Sequence, residues 1–577
     1  MTAKEYGPTM PISKEIHAMK YRQEGETFED CINRVSATLM DNEPHRKALK
    51  AALLNQRFMP AGRVQAAIGS PKAITPWNCF VSGVIGDSFD EIMAKASEAG
   101  QTMRLGGGIG YDFSTLRPKG ALIKSLGSQS SGPVSFMEIF DSICGTIASA
   151  GHRRGAQMGV LRVDHPDIVE FIHAKRNEDK LKRFNISVGV TDEFMTAVKK
   201  GTDFNLKWRG RVYSTINARA LWDDIMRSTW DWAEPGVIFI DRINAMNNLW
   251  YCETIATTNP CGEQPLPPYG ACLLGSFNLV QYVDTYNSFK FDMDKFRADI
   301  PNVVRAMDNI IDIGIYPLQQ QEEEGKNKRR MGLGVTGLAN ALEAQGLPYG
   351  SDGFLAVTEE IMSTLMNDAY MASSLLAKEK GSFPLFDRDK FCKGEFYKLL
   401  SPEVQAHIYE HGLRNSHLIS IAPTGTISLS ADNPSSGIEP PFTWEFDRTI
   451  QTFEGPIVEK VTDYAYREWG VKGLKANDIS AEDHVKVLLA CQKYVDSACS
   501  KTCNVGDDVT WEQFKNIYMM AYDGGAKGCT TFRASGKRYG ILNETPKDEP
   551  KEVEYIDDDD NVEACFIDPN TGQPTCS

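Results

Sequence analysis

The stretch TTNPCGEQPLPPYGACLLGSFNL, residues 257–279, carries the densest chemistry in the chain. Its four prolines and three glycines predict a fixed loop rather than a regular element. Asn259, Cys261 and Glu263 alternate along it, and alternation in an extended backbone turns all three side chains to one face. A thiol, a carboxylate and an amide converging on one point form a catalytic arrangement. The plainer alternative is a structural Asn-Pro turn with a buried cysteine. Cys272 follows eleven residues after Cys261.

Upstream, residues 1–58 read as a helical region. EDCINRVSATLM and HRKALKAALLNQRF place apolar residues at three- and four-residue steps. From 59 to 541 short apolar runs such as VIFI (237–240) and HLISIAP (417–423) alternate with helical stretches such as ALWDDIMRSTWDWA (220–233). This pattern predicts one large domain with a parallel α/β core. The segment 542–577 differs. From Thr545 it holds ten acidic residues against two lysines, over half of the chain's net charge of −15. High charge with low hydrophobicity predicts a mobile tail, a solvating appendage on the plain reading. Yet Cys565 and Cys576 lie in it, where cysteine has no packing role, which points to redox chemistry.

The 577 residues, 42% hydrophobic and 24% charged, exclude wholesale disorder and disulfide-scaffold classes. Net acidity argues against nucleic acid or an anionic membrane as partner. With no apolar run near the roughly 18 residues of a membrane span and no apolar core at the start, the expected compartment is the cytoplasm. GLGVTG (332–337) matches a dinucleotide fingerprint, but QQQEEEGKNKRRM before it cannot be the buried strand that motif needs, so Rossmann binding is rejected. Cys499 and Cys503 allow two thiols on one helix face. Without further ligands they make no structural zinc site, and no metal site is expected.

The 257–279 stretch resembles the finger loop of ribonucleotide reductase catalytic chains, above all the adenosylcobalamin-dependent class. FMPAGR (58–63), NCFVSGVIGDSFDEI (78–92), GGGIGYDFSTLRPKG (106–120), HRRGAQMG (152–159), RRMGLGVTGLA (329–339) and APTGTISLSADNPSSGIEPPF (422–442) resemble family landmarks in family order. The resemblance runs from about residue 20 to 541. It implies a ten-stranded α/β barrel of two parallel five-stranded halves around the finger loop, preceded by a small helical region. It leaves no room for the family's optional N-terminal ATP cone, so control there is not expected.

The resemblance also implies roles. Cys261 matches the thiyl radical position, Glu263 the carboxylate that takes the ribose 3′-hydroxyl proton, and Asn259 the amide that orients the hydroxyls. Cys79 and Cys272 match the reducing pair, re-reduced by the tail cysteines Cys565 and Cys576 and by thioredoxin or a glutaredoxin-type donor. The tail departs from the family's usual closer spacing. Pro423, Thr424, Gly425, Thr426 and Ile427 match the substrate-phosphate loop, and Asn78 and Gly108 ribose or base contacts. Asp87, Ser88 and Arg117 match the deoxynucleoside triphosphate effector site. Arg153 and Arg154 match the segment linking effector to substrate choice, with a solvated turn as the alternative.

The chain has no Tyr-Tyr pair for a radical relay, and KGCTTFR (527–533) resembles the cobalamin class. The expected activity is reduction of ribonucleotides, diphosphates by preference, with adenosylcobalamin as cofactor. The alternative is a class I-like large subunit that needs a radical-generating partner. No D-x-H-x-x-G motif supplies a cobalt ligand, and a homodimer is compatible with the sequence.

Overall fold

The computed structural model describes residues 6–147, 156–176, 180–452, 455–533, 536, 566–568 and 573–575. The N-terminal region forms three helices: α1 (Pro11–Tyr21), α2 (Phe28–Thr38) and α3 (Glu43–Leu54). Helix α2 starts on a capping box: Thr27 Oγ1 accepts from Asp30 N at 3.2 Å, and Asp30 Oδ2 accepts from Thr27 N at 3.0 Å. Its buried face, Phe28, Cys31, Ile32 and Val35, follows the helical repeat read from the sequence.

The core is mixed α/β with a large sheet. The strands are β1 (Phe58–Pro60), β2 (Cys79–Val81), β3 (Gly108–Asp112), β4 (Gln157–Arg162), β5 (Phe184–Val190), β6 (Gly236–Phe239), β7 (Ala271–Cys272), β8 (Leu274–Asn278), β9 (Gly332–Thr336), β10 (Thr502–Val505) and β11 (Gly528–Arg533). Eight of them form one sheet in the order β7-β2-β3-β4-β5-β6-β11-β10. Strands β2 to β6 are parallel; β7 flanks them antiparallel at one side, and β11 pairs β6 antiparallel at the other. The second sheet is β1-β8-β9, with β8 and β9 parallel. Parallel bridges join Leu333 to Ile419 and Ile421 to Cys499. Among the described residues these strands do not close into one continuous hydrogen-bonded barrel.

Crossover helices cover the large sheet: α4 (Phe89–Arg104) joins β2 to β3, α5 (Pro133–Thr146) joins β3 to β4, and α6 (Ala218–Trp232) precedes β6. Tyr111 of β3, Phe113 just beyond it, Phe140 of α5 and Phe184 of β5 pack with ring centroids 4.9–6.0 Å apart. Each such pair contributes roughly 0.5–1.5 kcal/mol beyond burial, and together they fix β3 beneath its helix.

Three sequence readings change. The 257–279 stretch is not loop throughout, because its apolar second half, ACLLGSFN, pairs as β7 and β8. GLGVTG is largely the buried strand β9, where the glycines admit neighbours. A Cβ on Gly332 would stand 2.5 Å from Gln264 Nε2, and one on Gly334 2.4 Å from the Ser420 carbonyl oxygen. Cys499 and Cys503 lie on extended backbone, Cys499 in a bridge and Cys503 in β10, so they share no helix face. Among the described residues no helix is long and apolar enough to cross a membrane.

Candidate active site

The finger loop begins as a two-rung hairpin, Thr257–Thr258 against Pro265–Leu266. Both sheets hold it. Asn185 Nδ2 of β5 donates to the Pro260 carbonyl at 3.1 Å. From the other side Ser420 Oγ and Ala498 N both donate to the Glu263 carbonyl at 2.9 Å. Gly108 and Gly110 of β3 make the passage. A Cβ on Gly110 would lie 1.8 Å from the Thr258 carbonyl oxygen; one on Gly108 would lie 3.1 Å from Pro260 Cγ and 3.5 Å from Cys79 Sγ. Glycine is needed here for close approach rather than for its dihedral freedom.

At the tip the alternation fails. Gly262 has φ +81°, and its N–H donates to the Asn259 carbonyl at 3.1 Å, so Pro260–Gly262 is a turn. Glu263 lines one cavity and Cys261 lines another, with the loop tip between them. Cys261 stands in a disulfide in this structure, so the chemistry proposed below is that of its reduced form.

The Glu263 cavity, about 500 Å³, is lined also by Asn78, Cys79, Pro423, Thr424, Thr426 and Ile427. Both Glu263 carboxylate oxygens, Asn259 Nδ2 and Asn78 Oδ1 are buried without a protein partner among the described residues. A buried polar group left unpaired costs about 1–3 kcal/mol, more when charged, so these atoms await a polar ligand. Burial pushes the Glu263 carboxyl up to about 7. Cys272 is opposite Cys79 in the β7–β2 pairing, and both are free thiols. Burial first, then the neighbouring Cys79 thiol, hold Cys272 well above the usual thiol range.

Residues 423–427 form the entry to helix α9 (Gly425–Leu429). Thr424 is left-handed, φ +53°, and its hydroxyl is already engaged, accepting from Gly437 N at 2.7 Å and bonding Thr336 Oγ1 at 2.9 Å. The first-turn N–H groups of α9 have no acceptors within the helix. The sequence reading missed Tyr21, Gly62 and Ser276 on the cavity wall. Tyr21 carries no local signal. It arrives because α1 docks on the α9 region, with Ser13 Oγ donating to the Leu429 carbonyl at 2.6 Å and Met10 N to Asp432 Oδ1 at 2.8 Å.

The remaining candidates lie apart. Ser88 caps α4, accepting from Glu91 N at 3.3 Å, and Arg117 closes on Asp87 through its N at 2.8 Å and Nε at 2.9 Å. Arg153, Arg154, Cys565 and Cys576 fall outside the described residues. Of the tail, strands Phe566–Asp568 and Gln573–Thr575 pair antiparallel, and the second runs beside α9.

A family model of the ribonucleotide reductase barrel domain matches residues 77–474 and 471–532.
This chain belongs to the ribonucleotide reductase family.
It is 37% identical over 513 residues to the vitamin B12-dependent ribonucleoside-diphosphate reductase of Thermoplasma acidophilum, covering 82% of this chain and 64% of that one. It is 34% identical over 521 residues to the reductase of the same name from Mycobacterium tuberculosis, covering 85% and 72%. The vitamin B12-dependent ribonucleotide reductase of Streptomyces coelicolor matches at 29% over 620 residues, covering 92% and 63%. The chain thus spans about two thirds of the length of these curated relatives.

The second cavity, about 870 Å³, opens at Cys261 and is walled by Asn185, Ser187, Ser500, Lys501 and Thr530 among others. Hydroxyl and amide donors around a space next to the finger-loop cysteine suit a nucleoside group, which is how an adenosylated reductase cofactor presents itself. Among the described residues no histidine lines this cavity.

Proposed function

We propose that the chain reduces ribonucleoside diphosphates to 2′-deoxyribonucleotides with adenosylcobalamin as radical source. The observation that carries this reading is the set of orphaned polar atoms on Glu263 and Asn78, which line one cavity with Cys79, the strand partner of Cys272, and on Asn259 of the same loop as Glu263 and Cys261. Asn185, Ser187, Ser500 and Thr530 would hold adenosylcobalamin at the Cys261 cavity, where its homolytic chemistry would supply the radical. The rest falls to the chain. The reduced Cys261, as a sulfur radical, takes the ribose C3′ hydrogen. Glu263 accepts the 3′-hydroxyl proton, and Asn259 and Asn78 hold the hydroxyls. The 2′-hydroxyl leaves as water with a proton from the dithiol. Cys79 and Cys272 deliver two electrons in all and close a disulfide, their second hydrogen going to C2′; Glu263 returns its proton to the 3′-oxygen, and Cys261 returns its hydrogen to C3′ and is left again as the sulfur radical.

The phosphates sit on the 423–427 loop, and Gly108 contributes a wall beside Cys79. Asp87, Ser88 and Arg117 read a deoxynucleoside triphosphate effector, and Arg153 and Arg154 relay that state to substrate choice. Cys565 and Cys576 reduce the Cys79–Cys272 disulfide by thiol exchange and are themselves reduced by thioredoxin or a glutaredoxin-type donor. The path of Gln573–Thr575 beside α9 supports that role, since it brings the tail near the substrate loop. The unit is a ten-stranded barrel of two five-stranded halves. The parallel bridges from Leu333 of β9 to Ile419 and from Ile421 to Cys499, and the single residue between β7 and β8, support that closure. Residues 59–541 form the catalytic body, 1–58 a helical region upon it, and 542–577 the redox tail. A homodimer fits the effector segments' surface position.

The test is anaerobic incubation with each ribonucleotide, dithiothreitol and adenosylcobalamin. Deoxynucleotide formed with no second protein supports the reading. Turnover that needs a di-iron partner and no cobalamin overturns it.

A further inference from the structure

Tyr269 is held from two sides near the dithiol. It stands on the turn Pro267–Gly270, where Gly270 N donates to the Pro267 carbonyl at 2.9 Å, three residues before Cys272. Its φ is +65°, a region a bulky side chain holds only where its surroundings fix it. Two elements fix it. The hydroxyl accepts from Lys95 Nζ and donates to Glu98 Oε2 at 3.3 Å, both from α4. Lys95 and Glu98 pair with each other at 2.9 Å, their side chains 16% and 22% exposed. The Lys95 ammonium also stands 4.9 Å from the ring centroid. Below, the ring lies on Gly83, just beyond β2, where a Cβ would stand 2.4 Å from Tyr269 Cζ.

The strand this turn feeds is only two residues long. Its backbone bonds to the β2 segment include Asn78 N to the Cys272 carbonyl at 3.3 Å and Val81 N to the Gly270 carbonyl at 2.9 Å. The pairing spans only the strand's two residues, and a slip of one residue would turn Cys272 to the other face, away from Cys79. We infer that Tyr269, tethered by Lys95 and Glu98, is a positioning residue that sets Cys272 opposite Cys79. The tether works through the backbone of the turn and touches neither substrate nor sulfur. This inference rests on reading Cys79 and Cys272 as the reducing dithiol.

The experiment equilibrates the full chain, and its Tyr269→Phe and Lys95→Met variants, in buffers of reduced and oxidised dithiothreitol. Peptide-level alkylation then reads the state of Cys79 and Cys272. In the titrated step the two S–H bonds break, an S–S bond forms, two protons go to solvent, and two electrons open the disulfide of oxidised dithiothreitol. Losing the tether lowers the effective concentration of one thiol at the other. Each variant is expected to lower the disulfide-forming equilibrium constant about tenfold, which for two electrons raises the reduction potential by about 30 mV. The double variant should shift it no further than the larger single one, because both remove one contact chain. A merely structural role would lower the melting temperature and leave the potential unmoved. Unchanged potentials in both variants, with the wild-type disulfide forming normally, overturn the tether alone. A wild-type chain in which Cys79 and Cys272 never join overturns the tether and the dithiol reading together.

Discussion

Replacing Glu263 with glutamine should make the protein more stable and nearly inactive, and the structure gives the size of both effects. The carboxylate is fully buried, neither oxygen has a protein partner among the described residues, and burial moves its titration from 4.5 to about 7. The folded chain therefore binds this proton more tightly than the unfolded chain. Its contribution to stability falls as pH rises from about 4.5 to about 7 and stays low above that. The full difference corresponds to about 3 kcal/mol for this wholly buried group. Glu263→Gln removes the charge while keeping the shape, so its melting temperature should exceed wild type at about pH 8 and match it near pH 4.5. Activity should go the other way. As a base the residue works ionised, about one tenth at pH 6 and nine tenths at pH 8, so wild-type kcat/KM should rise about tenfold across that interval. The variant should lose about 10²- to 10⁴-fold in kcat/KM and lose that pH limb. Thermal melts and anaerobic product assays at several pH values read both. A variant that keeps a tenth of wild-type turnover, or a melting temperature gap that does not open with pH, refutes the base assignment.

Cys261→Ser should abolish product while leaving nucleotide affinity within about twofold, since the hydroxyl matches the thiol in size but its O–H bond is too strong for the exchange; equilibrium binding and product assays check this. Deleting residues 564–577 should spare a single round in prereduced enzyme, cut thioredoxin-driven turnover steeply, and allow partial rescue by dithiothreitol, which is small enough to diffuse to the disulfide. Full thioredoxin-driven rate in the truncated chain would leave the tail as a solvated appendage. Gly110→Ala should displace the finger loop, because its Cβ would fall 1.8 Å from the Thr258 carbonyl oxygen; overpacking of this kind costs about 1–3 kcal/mol, read as a lower melting temperature together with lost activity.

How much of this was legible in the sequence depends on whether the signal was local. The helical repeats of 28–38 and 43–54 and the apolar run at 237–240, most of which lies in the strand Gly236–Phe239, could be read because one element's burial pattern is written within it. The family landmarks brought Asn78, Cys79, Glu263 and 423–427 into one expectation, and all of these but Gly425 line one cavity. The turn at Pro260–Gly262 was not legible, since alternation predicts a common face only if the backbone stays extended, and Gly262 bends it. GLGVTG was rejected as a nucleotide loop on its flank, but its strand was invisible because glycines carry no burial period. Tyr21 was out of reach for another reason: its place on the cavity wall depends on the docking of α1 onto residues more than 400 positions away. Tyr269 likewise acquires meaning only from Lys95 and Glu98 on a helix far upstream.

The central claim is that Cys261 carries the unpaired electron that begins reduction. Freeze-quench electron paramagnetic resonance tests it most directly, on the full chain mixed anaerobically with adenosylcobalamin, a ribonucleoside diphosphate and a deoxynucleoside triphosphate. Protein made with β-deuterated cysteine should show an organic radical signal narrowed relative to unlabelled protein, and Cys261→Ser should show none. A signal indifferent to the cysteine label, or one of equal intensity in Cys261→Ser, contradicts the account.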